Sequence, residues 1–541
     1  MRILTDLPPE LLSAIVVETA RIWPHLLWET PSTCFKRLED DCLAARGPEE
    51  LHYWKDAHDL TDNLCEYCTH SRLGFIALSH VSRALRAVTI GTPRLWTTIN
   101  DSPRPSPWRS WLSSHSLDLL HPESTIFWID TFLSRSRALP LQYTHHIEWD
   151  DYEENEDFGL HELFDQALPR IRTLYLQIEG WPSPDAISPD ILDGAQSLQS
   201  LVLRRDPVSP FNPVFLPTSA FPQELALLNF IPDAMPWHHD AVRNLTSLKL
   251  GFAPDTDEIS RASFLEFLEG LSMLRALESL FLVGVPDIPD APEGFTIDHR
   301  TNPVDWPALG NLSLNGQSRS ITAFIQCICA PAVRTVDIVY FHFTLDAKAS
   351  FEMLVQWVPG LASSSTPDDI FHTASITHDD SDYSFTLGLS RSVGTSAGGF
   401  GPYTFRITAD WAVEDGEDPV DLAAMDVLET FVPTLMDSLA APRIQSLILK
   451  LDECTTLGLR QCLARFAVVS ELIIMKSAAR VIESMAGQRG SRTGTSRLFP
   501  ALATMIVWPS SAKHKALDKA IGKMVNARAR LGQTIRWEVR E

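Results

Sequence analysis

The sequence predicts an α/β chain, with a small helical module at the N-terminus and then a solenoid whose parallel sheet carries helices on its convex side. Three observations lead there. Ten short segments between residues 171 and 507 repeat one aliphatic pattern, helix-like stretches lie between them, and two amphipathic segments precede the first repeat.

Bulk properties set the frame. A chain of 541 residues exceeds the usual single-core limit, which a repeat architecture relieves by spreading one core along its length. Hydrophobic content of 45% and charged content of 21% are those of an ordinary folded chain. The net charge of -24 repels nucleic acid and anionic lipid, so neither nucleic acid nor membrane is an expected partner. No signal-like N-terminus and no apolar run of membrane-spanning length is visible, so a cytoplasmic or nuclear location is expected, with the eight cysteines reduced.

The first element is LPPELLSAIV, Leu7 to Val16. Asp6 is placed to cap a helix whose first turn tolerates Pro8 and Pro9, and Glu10 lies near the positive end of the helix dipole. Leu7, Leu11, Leu12, Ile15 and Val16 fall on one side. The second element puts Leu78, Val81, Leu85 and Val88 on a helical stripe with Arg83 and Arg86 off it, and Gly91 and Pro93 end it.

Residues 21–72 lie between the two halves and hold Cys34, Cys42, Cys65 and Cys68. The two-residue spacing of Cys65 and Cys68 suits a tetrahedral zinc, and His52, His58 and His70 add ligands. Cys34 and Cys42 do not form a standard second pair, so free thiols are favoured and no cofactor or metal is expected.

A connecting region, 101–164, contains EWDDYEENED, with seven carboxylates in ten residues, read as a solvated loop. The paired histidines His145-His146 and His238-His239 are read as surface or turn residues, because neighbours on a strand point to opposite faces.

From 165 to 541 the repeat organises the chain. Its copies are IRTLYL at 171, LQSLVL at 198, LALLNF at 225, LTSLKL at 245, LESLFL at 277, LGNLSL at 309, VRTVDI at 333, IQSLIL at 444, VSELII at 469 and LATMIV at 502. The last four residues alternate, as in a strand with one buried face, while 260–271 and 455–466 have helical spacing. One such unit cannot bury its own apolar face, but stacked units share a core. Between 341 and 442 the repeat fades; YSFTLGLS (383–390) and YTFRITADWAV (403–413) are either a hairpin or two degenerate repeats. The segment 515–539 reads as a closing helix and a last strand.

The loop between those two strand-like segments contains Gly394-Thr-Ser396-Ala-Gly398, the form of a hydrolase nucleophile elbow. An elbow needs a helix after the serine, and a strand-like segment follows here instead, so a serine hydrolase using Ser396 is only a remote alternative. No catalytic residue is expected.

The order LPPELL, then ALSHVSRALR, then TPRLW resembles the F-box-like module of large fungal families, and the repeats resemble the leucine-rich repeats that follow it there. The matching positions are Leu7, Pro8, Pro9, Glu10, Leu11, Leu12 and Ile15, then Leu78, Val81, Arg83, Leu85, Arg86, Pro93, Leu95 and Trp96. Where the family has Cys-Arg-x-Trp-Arg, this chain reads Ser82-Arg-Ala-Leu-Arg. The resemblance implies a module over 1–100, interrupted by the insertion at 21–72, that docks on the Skp-type adaptor of a cullin-RING ubiquitin ligase. Leu7, Pro8, Pro9, Leu11, Leu12, Ile15, Leu78, Val81, Leu85 and Trp96 would form the docking surface, and the repeats would hold a protein substrate. A repeat scaffold without ligase association is the rival reading. Residues between the buried aliphatics line the sheet's open face, and Tyr175, Arg204, Lys249, Phe281, Asn315, Lys450, Met475 and Trp508 are its candidate substrate contacts.

Overall fold

The computed structural model describes residues 7–22, 82–100, 122–148, 158–179, 192–205, 216–217, 220–230, 235, 237–252, 259–286, 304–341, 371–379, 384–390, 405–410, 444–451, 463–476, 481–482, 499–508, 514–530 and 532–539. The fold is mixed α/β with a large, mostly parallel sheet. The chain divides into two compact units, residues 1–230 with 234–245, and 231–233 with 246–541. No helix among the described residues is long and apolar enough to cross a membrane.

The first unit begins with α1 (Pro9–Ile22), α2 (Arg83–Gly91), a 3-10 turn (Pro93–Trp96), β1 (Thr98–Asn100), α3 (Pro122–Ser136), β2 (Leu141–Glu148) and α4 (Phe158–Ala167). β3 (Ile171–Glu179), β4 (Ser200–Arg205), β5 (Glu224–Phe230) and the short α5 (Asp240–Arg243) follow. Strands β1 to β5 lie side by side in chain order, all parallel.

In the second unit the order is β6 (Ser247–Phe252), α6 (Arg261–Ser272), β7 (Ser279–Val285), β8 (Val304–Asp305), β9 (Asn311–Gln317), α7 (Ser318–Cys327), β10 (Ile328–Cys329) and β11 (Thr335–Phe341). Then come β12 (Thr373–Asp379), β13 (Ser384–Ser390), β14 (Phe405–Asp410), β15 (Ser446–Leu451), β16 (Glu471–Lys476), β17 (Thr504–Trp508), α8 (His514–Ala529) and β18 (Arg536–Val539). The sheet runs β6-β7-β9-β11-β14-β13-β12-β15-β16-β17-β18, while β8 and β10 form a separate pair.

All ten aliphatic segments of the sequence fall on strands, and their first residues enter the core just at or before the strand, from Ile171 and Leu198 to Val469 and Leu502. One copy is offset. Leu225 and Leu227 stand opposite Leu201 and Leu203, so the motif there begins at the buried Pro222, and Leu228 is only half-buried. The string LALLNF contains two possible apolar frames, and sheet register selects the earlier one.

Backbone groups tie successive repeats together. At seven strand entries two consecutive N–H groups converge on one carbonyl just ahead of the neighbouring strand in the sheet: Glu278 and Ser279 on Thr246, Gly310 and Asn311 on Glu278, Arg334 and Thr335 on Gly310, and likewise at residues 223, 445, 470 and 503. These turn amides are thus satisfied without any side chain.

The region between β11 and β15 resolves the open alternative at 383–413. β13 is antiparallel to both β14 and β12, so these three strands form a meander set into an otherwise parallel sheet, a departure from the expected all-parallel arrangement. At the C-terminus the expected helix and strand are present as α8 and β18.

Side-chain contacts close the layers. Ser260 caps α6 by accepting from the Ser263 N–H, and the Trp306 indole donates to the Leu271 carbonyl at the other end of that helix, 3.2 Å away. Phe267 of α6 meets Phe252 of β6 edge-to-face. In the first unit Arg170 donates to the Leu133 and Leu139 carbonyls and to Ser136 Oγ, neutralising the C-terminal end of α3. Burial lowers the pKa of that guanidinium from its ordinary value.

Candidate functional site

Two surfaces collect the candidate residues: the N-terminal helices and the open face of the sheet.

Over α1 and the turn just ahead of it the apolar residues split into two stripes. Leu12 and Val16 are buried at 2% and 0%, whereas Leu7, Leu11 and Ile15 are exposed at 36%, 53% and 37%. Pro8 and Pro9 are exposed, and the Pro8 carbonyl accepts from the Leu11 and Leu12 N–H groups to start the helix. Leu85 is buried in α2, which Ser82 caps by accepting from the Leu85 N–H, while Arg83 and Arg86 are exposed. Trp96 is also buried; its indole donates to the Thr89 carbonyl at 3.0 Å, its ring meets Phe132 edge-to-face, and the Arg135 guanidinium lies over it.

Of the ten docking candidates, therefore, Leu12, Leu85 and Trp96 belong to the local core rather than to an accessible face, and Leu7, Leu11 and Ile15 form the accessible stripe. Leu78, Val81 and the four cysteines Cys34, Cys42, Cys65 and Cys68 lie outside the described residues, as does Ser396. Among the described residues no group of three or more His, Cys, Asp or Glu side chains is placed to hold a metal.

On the sheet, Tyr175 and Arg204 sit half-buried on the open face of the first unit, Tyr175 beside Val202 and Arg204 beside Gln177. In the second unit register sorts the candidates into two rows. One runs Lys249, Phe281, Ser313, Asp337, Arg406. The other runs from Asn315 through Val339, Thr408, Thr386 and Thr377 to Lys450, Met475 and Trp508.

The two ends of this face differ in environment. Lys249 and Phe281 are exposed, and Asp337 accepts from Arg406, Nε to Oδ1 at 2.7 Å, in a bidentate pair. Arg406 was not among the sequence candidates; its only signal is its place one residue into the alternating FRIT stretch. Thr386 and Thr408 hydroxyls lie 3.1 Å apart. Further along, Ile448, Ile473 and Ile506 are each buried, and Met475 and Trp508 are half-buried against them. Met475 and Trp508, two of the candidate contacts, therefore border a buried apolar cluster, as isoleucine at three successive register positions favours burial over solvent.

His145 corrects the surface reading of the histidine pairs. It is buried in β2 and stacks on Phe164 with ring centroids 4.2 Å apart, because its register places it on the core side with Leu176. His239 does occupy a turn, where Nδ1 caps α5. Burial pushes the Cys327 thiol up to about 12, and it holds the Tyr340 phenol well above its ordinary value.

No family model matches the chain, and no curated protein matches it.

Proposed function

We propose that this chain is a substrate-recognition subunit of a cullin-RING ubiquitin ligase: an F-box-like pair of helices docks a Skp-type adaptor, and a leucine-rich-repeat solenoid holds a protein target on its open face. The observation that carries the reading is the exposed row of Leu7, just ahead of α1, and Leu11 and Ile15 on it, while the helix's other stripe, Leu12 and Val16, is packed. Leaving three large aliphatics in water forgoes burial free energy that a docking partner recovers. The strand repeat, with exposed Lys249 and Phe281 on its open face, supplies a second surface for a target. Such a subunit has no chemistry of its own; it raises transfer rate by holding the target near the ligase's active component.

Capture of the full chain by a purified Skp-type adaptor tests this. Wild type is retained, and the double variant Leu7→Asp with Leu11→Asp loses at least about tenfold in affinity while keeping its circular dichroism, since both positions are exposed. Absent or equal capture of both forms leaves the rival reading, a repeat scaffold that works without a ligase.

A further inference from the structure

The last strand in the sheet order is β18, and its residues Arg536, Trp537 and Glu538 are exposed. Along one side it pairs with β17, where the Arg536 N–H donates to the Ala503 carbonyl at 2.9 Å. Along the other side no strand pairs with it among the described residues. Peptide groups alternate in direction along a strand, so the N–H and C=O of Trp537 both point away from β17, at the free edge. An edge that presents unpaired backbone groups is a template for another strand.

The side chains on this edge are self-complementary. Trp537 shares register with the fully buried Met505, yet 49% of its own surface is exposed. Arg536 and Glu538 flank it on the opposite face, one cation and one anion placed symmetrically about the tryptophan.

We propose that β18 is a dimerisation edge whose partner is a second copy of this chain, paired antiparallel about a two-fold axis at Trp537. Trp537 and its symmetry mate exchange N–H to C=O hydrogen bonds as a hydrogen-bonded pair. Arg536 then stands directly opposite the partner's Glu538, and Glu538 opposite the partner's Arg536, both in the closer, non-hydrogen-bonded positions. The two indoles meet on the other face as a cross-strand aromatic pair. A parallel arrangement cannot do this, because no two-fold axis relates parallel strands within one sheet, and a register shifted by two residues sets Arg536 against Arg536 or Glu538 against Glu538, like charges directly opposite. The contact is small, so the dimer is weak, with a dissociation constant on the order of 10 µM.

Sedimentation velocity on the full chain, from about 1 to 100 µM, provides the test, read with the wavelength of tryptophan emission. The expected result is a concentration-dependent monomer–dimer equilibrium. Glu538→Arg places two arginines against each other across each pair and weakens the dimer about tenfold. The charge-swapped double variant Arg536→Glu with Glu538→Arg restores it, because the opposite-sign pairing is re-created with the order reversed. Circular dichroism unchanged in both variants separates loss of pairing from loss of fold. A chain that stays monomeric throughout overturns the proposal, as does a dimer indifferent to Glu538→Arg, or one that the double variant fails to restore.

Discussion

Strands β7 and β16 carry the same motif, LESLFL and VSELII, and bury the same face equally: Leu280 and Leu282, like Leu472 and Ile474, have no exposed surface. Their other faces diverge. Phe281 is 36% exposed in β7, whereas Ile473 at the equivalent place in β16 is 5% exposed. The repeat therefore dictates only one side of a strand, and the register neighbours decide the other. Phe281 stands between Lys249 and Ser313, while Ile473 stands between Ile448 and Ile506. A strand buried on both faces reads as a near-continuous apolar run, and ELIIM and TMIVW have that form.

The largest effect should come from breaking this contrast directly. Ile473→Asp buries a charge and is expected to lower stability by about 3 to 5 kcal/mol, while Phe281→Asp costs under about 1 kcal/mol, as read from urea unfolding. Equal costs would mean that the two faces do not differ.

Next is Gly316→Ala, where β9 pairs with Val285 of β7 at a shift in register. A Cβ there would lie 2.5 Å from both the backbone N and O of Val285. The strand must shift to admit it, at a cost of about 1 to 3 kcal/mol in the same assay.

Arg334 separates backbone from side chain. Its side chain is exposed but its N–H joins the carbonyl of Gly310. Arg334→Pro removes that donor and should cost about 1 to 3 kcal/mol, whereas Arg334→Ala should be nearly silent, within about 0.5 kcal/mol.

Smaller still is Arg406→Met. The Asp337–Arg406 pair is partly exposed on the open face, so its loss should change stability by no more than about 1 kcal/mol. The alkaline limb gives a final check. An unfolded thiol ionises near pH 8.5, whereas Cys327 in the folded chain holds its proton up to about 12, so the unfolded state loses its proton first and stability falls as pH rises through that window. In the native state at pH 8, iodoacetamide should label the exposed Cys329 well before the buried Cys327, as peptide mass mapping would show.

What the sequence made legible follows from these faces. Ten strands announced themselves because leucine, isoleucine and valine repeat at the core positions. β2 did not, since two of its buried places are held by Tyr143 and His145 rather than by aliphatics, and β12 did not, since TASITHD is built mainly from small and hydroxyl residues. At the candidate docking helix, periodicity located the apolar arc of α1 but could not say that Leu12 and Val16 face inward and Leu11 and Ile15 outward. That division depends on the packing of α1 beside α2, where Ser13 and Thr92 hydroxyls lie 3.1 Å apart. Trp96 looked like a docking aromatic by its place in TPRLW, yet its indole has a partner in the preceding helix.

The meander has a consequence for how this part of the chain assembles. β11 and β14 pair although Asp337 and Arg406 are 69 residues apart in sequence, and β12, which comes next in the chain after β11, lies three places away. Elsewhere in this unit a strand mostly docks on the one just completed, so growth proceeds by short loop closures. Here the side of β11 away from β9 finds its neighbour only once β14 has been made, and β15 pairs with β12 rather than with the strand completed just before it. The three-strand insert therefore acts as a keystone for this stretch: it slows the step at which it forms, since non-local pairing must bear loop-closure entropy first. It also makes the strands on either side of it depend on one another, where a simple stack would let them melt piecemeal.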